Sequence, residues 1–169
     1  MSLYSKNPVS KAKKPERSAI LISIKPDFVQ KIRAGTKKYE LRRQIKPVRS
    51  LPEMMVIYET APTKQITGFF QCTTFWTSHK DTIWDSGIDQ FWDIYSEIYG
   101  LNWWEFYSYF EGVIIGYCLK ISRYIDIEPL KLQEIGINYA PQNMQFLNRE
   151  QWLTIFDRRI EVGTTEGGL

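Results

Sequence analysis

Three residues that can do acid–base or anion-binding chemistry lie within six positions of one another: Lys37, Glu40 and Arg42. If 38–43 forms a strand, alternation places Glu40 and Arg42 on one face and leaves the residues between them for the core. A carboxylate among cations can accept a proton, and the cations can bind a phosphate or stabilise an oxyanion. The alternative is an ordinary ion pair on a solvated strand.

The elements that must position this cluster are readable upstream. The β-branched run at 20–25 predicts a buried strand, and Pro26 suits the first position of a helix. Gly35 stands where a left-handed helix cap is expected, before the charged strand. The helix between them has apolar residues at helical spacing: Phe28, Val29 and Ile32.

This order of elements resembles a known family. Ser-Ile-Lys-Pro, which contains Lys25, leads into the helix, and Gly-x-Lys-x-x-Glu-x-Arg follows at 35–42. Together they resemble the signature of ASCH domains, which are similar in fold to the PUA domains of RNA-modifying enzymes. The segment 140–146 also resembles a Pro-Gln-x-Phe-like segment of some ASCH-type proteins.

The resemblance implies an α+β fold, a small twisted PUA-like β-barrel of about five or six strands with helices packed at its side. We expect three parts: a flexible basic arm at 1–17, the ASCH/PUA-like domain at 18–147, and a C-terminal helix and tail at 148–169.

Further elements follow from periodicity and capping signals. We predict strands at 54–58, 66–76 and 113–127, with Gly68 allowing a bend or bulge and Pro129 ending the last strand. We predict an amphipathic helix at 88–99. Two more helices are predicted at 102–110, opened by an Asn102 and Glu105 capping box, and at 148–156, with Trp152 and Ile155 docked on the sheet.

The net charge of +3 hides an uneven distribution. Residues 1–49 hold 14 Lys or Arg against 3 Asp or Glu, whereas 50–169 hold 8 against 16. A basic first third is typical of proteins with a polyanionic partner such as nucleic acid. The alternative is a solubilising tail beside a solvated helix face.

The resemblance favours an RNA-binding or nucleotide-binding module that acts in RNA metabolism, translation or transcription regulation through a basic cleft. In this reading Lys25, Lys37 and Arg42 engage phosphate or a base edge, and Glu40 orients Arg42 or accepts a base amino group. Exposed aromatic rings beside positive charge also grip single-stranded RNA, although most rings are core. The tryptophans of interest are Trp76, Trp103 and Trp104.

Enzymatic activity is the alternative, because some ASCH proteins are similar to N4-acetylcytidine amidohydrolases and others are proposed ribonucleases. The resemblance places the amidohydrolase lysine on Lys37 and its threonine on Glu40, which lacks the hydroxyl. The distant catalytic glutamate has no clear match, with Glu97 and Glu105 as nearby candidates. A third possibility is docking of the basic arm on an acidic protein.

No cofactor or metal is expected. Cys72, Cys118 and the single His79 do not make a four-ligand zinc site, and the cysteines are expected in the core. No apolar run approaches the roughly 18 residues that span a bilayer, and the N-terminus lacks a secretory pattern. We therefore expect no membrane contact, a cytoplasmic location and, by default, a monomer.

Overall fold

A computed structural model describes residues 18–45, 51–72, 75–79, 96 and 99–160, with only the backbone described at 75–79 and 115. The predicted arm at 1–17, most of the predicted helix at 88–99, Glu97, the side chains of Trp76 and His79, and the C-terminal tail lie outside this description.

Eight strands and three α-helices make up the described chain. In chain order they are β1 (Ala19–Ile24), α1 (Pro26–Arg33), β2 (Tyr39–Arg42), β3 (Met54–Glu59), β4 (Gln65–Gln71), β5 (Phe75–His79), α2 (Trp103–Phe110), β6 (Ile115–Lys120), β7 (Arg123–Leu130), β8 (Met144–Leu147) and α3 (Arg149–Phe156). A 3₁₀ turn at Leu132–Ile135 precedes β8.

The strands form a five-stranded sheet of order β7-β4-β3-β1-β8 and a three-stranded sheet of order β2-β6-β5. Only the β1–β3 pair is parallel among these neighbours. The α+β class is confirmed, with more strands than the predicted five or six. No strand pairing between described residues joins the two sheets.

Strand β1 lies in the centre of the core. Ala19 and Leu21 face one apolar cluster, which also contains Ile155 of α3, whereas Ile20 and Ile22 face a second cluster on the α1 side. All four β1 residues are fully buried, as expected for a strand covered on both faces. Helices α1 and α3 therefore cover opposite faces of the large sheet.

Helices α2 and α3 confirm their predicted starts. Asn102 accepts a hydrogen bond from the Glu105 amide, and the Glu105 carboxylate accepts one from the Asn102 amide. Asn148 and Gln151 form the same reciprocal cap on α3. Docking of α3 is confirmed too, because the Trp152 ring lies 5.0 Å from the Phe69 ring, centre to centre. None of the described helices has the length and apolar character to cross a membrane.

The two long predicted strands at 66–76 and 113–127 were wrong as single strands, because each divides between the two sheets. The first changes sheet after Gln71, and the second changes at 121–122. The Ile121 amide donates to Lys38 beside the small sheet, whereas the next amide, that of Ser122, donates to Gln71 in the large sheet. Both halves carry strand-forming residues, so the change of sheet leaves no local signal.

The prediction that Pro129 ends a strand was also wrong, since β7 continues to Leu130. Strand β7 is an edge strand, and its pairing with β4 jumps from Asp126 opposite Gly68 to Leu130 opposite Ile66. Proline is tolerated at an edge or an irregular pairing because its missing N–H is not needed there. The predicted irregularity at Gly68 is confirmed by this jump in register.

We predict that Gly68→Ala costs about 2 kcal/mol of stability, as overpacking does. A Cβ at Gly68 would lie 2.6 Å from the Tyr124 hydroxyl and 2.8 Å from the Ile125 carbonyl oxygen. The matched control is Gly35→Ala, where nothing lies within 4 Å and only the positive φ of 71° is unfavourable. That control should cost about 1 kcal/mol. Urea unfolding measures both, and equal losses would contradict a packing role for Gly68.

Candidate functional site

The predicted face of β2 is present, but it is buried. Glu40 and Arg42 pair with Leu119 and Tyr117 of β6, and both side chains point to the same side. The Arg42 Nη2 atom lies 3.0 Å from Glu40 Oε1, with each side chain less than a tenth exposed. The solvated ion pair considered as the alternative is therefore excluded.

Lys37 joins this pair from the turn before β2. Its Nζ atom lies 3.6 Å from Glu40 Oε2 and donates a 2.7 Å hydrogen bond to the Tyr99 carbonyl. It also lies 5.2 Å from the centre of the Phe28 ring. Burial lowers the pKa of Lys37, and the Glu40 charge partly offsets that effect. Glu40 thus lies between two buried cations, and we call these three residues the charged triad.

Arg42 links the two sheets. From β2 in the small sheet, its Nη2 donates to the Ser23 carbonyl of β1 at 3.0 Å. Its Nη1 donates to the Asn143 carbonyl, just before β8, at 3.5 Å. The remaining donor, Nε, is buried and has no hydrogen-bond partner among the described residues. A guanidinium N–H without a partner can donate to an anion or a carbonyl oxygen.

A cavity of about 540 Å³ opens over the charged triad. All four predicted binding residues line it: Lys25, Lys37, Glu40 and Arg42. Lys25, which precedes α1, is exposed, and the three triad members are buried. The structure therefore brings the predicted residues together, with Lys25 as the accessible one.

Helix α2 supplies a wall that the sequence interpretation missed. Glu105, Ser108 and Tyr109 line the cavity at helical i, i+3, i+4 spacing. That spacing was readable once a helix at 102–110 was predicted, but nothing local placed the helix over β2. The Tyr109 hydroxyl donates to the Leu41 carbonyl at 3.0 Å and fixes α2 against β2. Burial raises the pKa of Tyr109, so it remains a hydroxyl donor.

The cavity lining is positive on balance. Four cations line it, Lys25, Lys37, Arg42 and Arg43, against the two carboxylates of Glu40 and Glu105. Glu105 is engaged by the helix cap, where its Oε2 accepts the Asn102 N–H at 2.8 Å. The cavity therefore favours an anionic or strongly hydrogen-bonding ligand.

Trp103 and Trp104, two of the tryptophans of interest, are adjacent on α2 and therefore face different surroundings. Trp104 is 73% exposed, whereas Trp103 is half-buried against the small apolar cluster of Leu41, Phe106 and Phe110. The two cysteines are free, and Cys72 is buried. Within the described residues, no three His, Cys, Asp or Glu side chains are grouped as a metal site would need.

We predict that alkaline pH destabilises the protein in part through Cys118. Burial raises the pKa of this thiol from 9.0 to about 12. Between these values the folded state holds a proton that the unfolded state loses, so stability falls as pH rises. The loss from this thiol should reach about 2 kcal/mol near pH 10.5. Cys118→Ala should lose correspondingly less stability between about pH 8.5 and about pH 10.5 in urea unfolding. An unchanged pH slope would contradict this account.

In sequence and in fold, the chain is similar to ASCH-domain proteins. No protein-family model matches the chain. It is 28% identical over 141 residues to the ASCH domain-containing ribonuclease of Zymomonas mobilis, covering 81% of this chain and 89% of that protein.

Crystal structures of the Zymomonas mobilis ASCH protein share the fold. One, of a variant with a serine replaced by alanine, superposes with a TM-score of 0.71 at 26% identity and covers 86% of this chain and 99% of that one. Another has a TM-score of 0.70 at 26% identity and covers 86% and 98% of the two chains.

Proposed function

We propose that this protein binds RNA, in single-stranded form, in the cavity over the charged triad and acts in RNA metabolism or in the regulation of translation or transcription. The observation that carries the proposal is that Lys25, Lys37, Glu40 and Arg42 line one cavity of positive balance. The cavity volume falls within the range of about 300–1,000 Å³ that ligand sites usually have.

Single-stranded RNA is the form that suits such a site. Sequence-specific proteins recognise RNA mainly through unpaired bases that leave the stack and enter a pocket. Here Lys25 at the rim would hold a phosphate, and the guanidinium of Arg42 would meet a phosphate or a base carbonyl. Glu40 keeps Arg42 in place and can accept from a base amino group. We also propose that the two sheets close around the core as a PUA-like barrel.

The test is fluorescence anisotropy with labelled single-stranded RNA, duplex RNA and single-stranded DNA at about 50 mM and about 200 mM salt. Single-stranded RNA should bind most tightly. Lys25→Ala should reduce the slope of log affinity against log salt concentration by about 0.7, the value for one phosphate contact. Lys131→Ala, an exposed lysine away from the cavity, is the matched control.

Deletion of residues 1–16 separates the cavity from the basic arm. Retained binding that Lys25→Ala weakens would support the cavity. Loss of binding only on deletion would assign it to the arm, and no binding by any form would contradict the proposal.

RNA cleavage is the second candidate, because the relative from Zymomonas mobilis is named a ribonuclease. Glu40 would take the proton of a ribose 2′-hydroxyl, whose oxygen attacks the adjacent phosphorus. The bond to the 5′-oxygen then breaks, and that oxygen takes a proton from Lys37 or from water. Arg42 would stabilise the extra negative charge on the phosphorane. Amidohydrolysis stays an alternative, although Glu40 stands where the resemblance requires a threonine.

End-labelled RNA tests cleavage directly. Appearance of 2′,3′-cyclic phosphate ends with the wild type, but not with Glu40→Gln kept under folding conditions, would support the cleavage scheme. Binding without any cleavage would leave the binding function standing and remove this candidate.

A further inference from the structure

We propose that a second pocket, next to the cavity over the charged triad, binds the neighbouring nucleotide of the same RNA strand. The preferred ligand would then be an oligonucleotide of at least two nucleotides rather than a single nucleoside. This inference rests on the proposed RNA-binding function and deepens it.

The second pocket adjoins the first. It has a volume of about 710 Å³ and shares Arg42, Arg43 and Tyr109 with the cavity over the charged triad. Both pockets therefore border the end of β2. An RNA strand that places one base in the first cavity would pass these shared side chains to reach the second pocket.

The junction is where the linking phosphate would pass, and its chemistry fits a phosphate. Arg42 and Arg43 are adjacent in sequence and both border the two pockets. Arg42 retains its unpartnered Nε, and the exposed Arg43 uses Nη2 to donate to the Glu111 carbonyl at 3.0 Å. An exposed arginine can turn toward an anion at little cost.

The walls of the second pocket suit a base. Among the described residues that line it there are two arginines and no carboxylate. Its lining includes the amide residues Gln44, Gln142 and Asn143 and the apolar Val113 and Ile114. Amides can donate to and accept from base edges, and an apolar surface can cover the face of the ring. Ile114 is 63% exposed, so its position is not explained by packing in the core.

Competition binding tests the inference. A fluorescein-labelled hexauridylate would be displaced from the full chain by uridine monophosphate or by the uridine dinucleotide, and the adenosine series would be run in parallel. For the wild type, we expect the dinucleotide to displace the probe about tenfold more effectively than the mononucleotide, as one extra stacked base allows.

Ile114 variants locate the second nucleotide. Ile114→Trp adds a stacking surface and should widen the gap between dinucleotide and mononucleotide about fivefold, which a folding defect cannot imitate. Ile114→Ser should narrow the gap. Ile160→Trp and Ile160→Ser are matched controls, because Ile160 is 46% exposed and lines neither pocket.

The outcomes separate this inference from the proposed function. A gap that responds to Ile114 and not to Ile160 supports the second pocket. Equal displacement by mononucleotide and dinucleotide, or a gap that ignores Ile114, overturns the second pocket while RNA binding stands. Failure of the probe to bind any form overturns both.

Discussion

Glu40→Gln is expected to lower the free energy of unfolding by about 3 kcal/mol, the usual cost of removing one partner from a buried ion pair. Glu40 lies 3.0 Å from Arg42 Nη2 and 3.6 Å from Lys37 Nζ, and all three side chains are less than a tenth exposed. Without its charge, two buried cations face each other with no anion between them. Glutamine keeps the shape, so the loss reports on charge.

Urea unfolding near neutral pH measures this loss. Glu128→Gln is the matched control, because Glu128 is an exposed glutamate of β7 and its replacement should cost less than about 0.5 kcal/mol. A loss at Glu40 no larger than at Glu128 would mean that the charged triad does not need its anion.

The cost of Glu40→Gln should shrink as pH rises. Burial already lowers the pKa of Lys37 below 10.5, and Glu40 opposes this effect, so its removal lowers that pKa further. Between the pKa of Lys37 in the folded variant and 10.5, the unfolded state binds more protons than the folded state. The stability of the variant therefore rises with pH in this range. Tyr109 and Cys118 act in the same direction, because Glu40 also raises the pKa of each group. The difference in free energy of unfolding between Glu40→Gln and the wild type should therefore narrow steadily above neutral pH.

Arg42→Lys is expected to weaken RNA binding at least about tenfold while the protein stays folded. Lysine keeps a positive charge beside Glu40, so the buried carboxylate still has a cationic partner at this position. It lacks the forked guanidinium that reaches Ser23 and Asn143 and that offers the free Nε. Arg42→Ala is a poorer test, because it leaves Lys37 as the partner of Glu40 in the charged triad and destabilises the fold. A loss of RNA binding could then reflect lost stability.

Arg33→Lys is the matched control for this experiment. Arg33 is a partly buried arginine that is likewise ion-paired, with Nε 2.9 Å from Asp126 and Nη1 3.5 Å from Glu59, but it lines neither pocket. Anisotropy titrations should show RNA affinity lost for Arg42→Lys and kept for Arg33→Lys. Equal affinities would remove Arg42 from the binding surface, and equal losses would point to a general effect on the fold.

Local signals carried most of what the sequence predicted about the fold. Pro26 and Gly35 bracket α1, and the Asn102 and Asn148 caps open α2 and α3, because each signal acts within one turn of the chain. The breaks between β4 and β5 and between β6 and β7 were missed. They arise where hydrogen-bond partners change from one sheet to the other, which is a tertiary event among residues of similar strand preference.

The site was predicted as far as one strand can show it. Alternation placed Glu40 and Arg42 together, and proximity in sequence added Lys37. Their burial was not predictable, since it depends on Tyr99 and on helix α2, more than fifty residues away in the chain. The second pocket was missed for the same reason, because Ile114 and Gln142 meet Arg42 only in the folded chain.

The reach of Arg42 from the small sheet to Ser23 in the large sheet bears on how the molecule opens. Local fluctuations can release whole units of a fold before global unfolding, and we expect the three-stranded sheet to be such a unit, with this guanidinium among its contacts to β1. Opening of that sheet would remove the floor of the cavity and leave the five-stranded sheet paired. Residues of both sheets line the cavity, so we expect a bound ligand to hold the two sheets together and to slow amide exchange along β2.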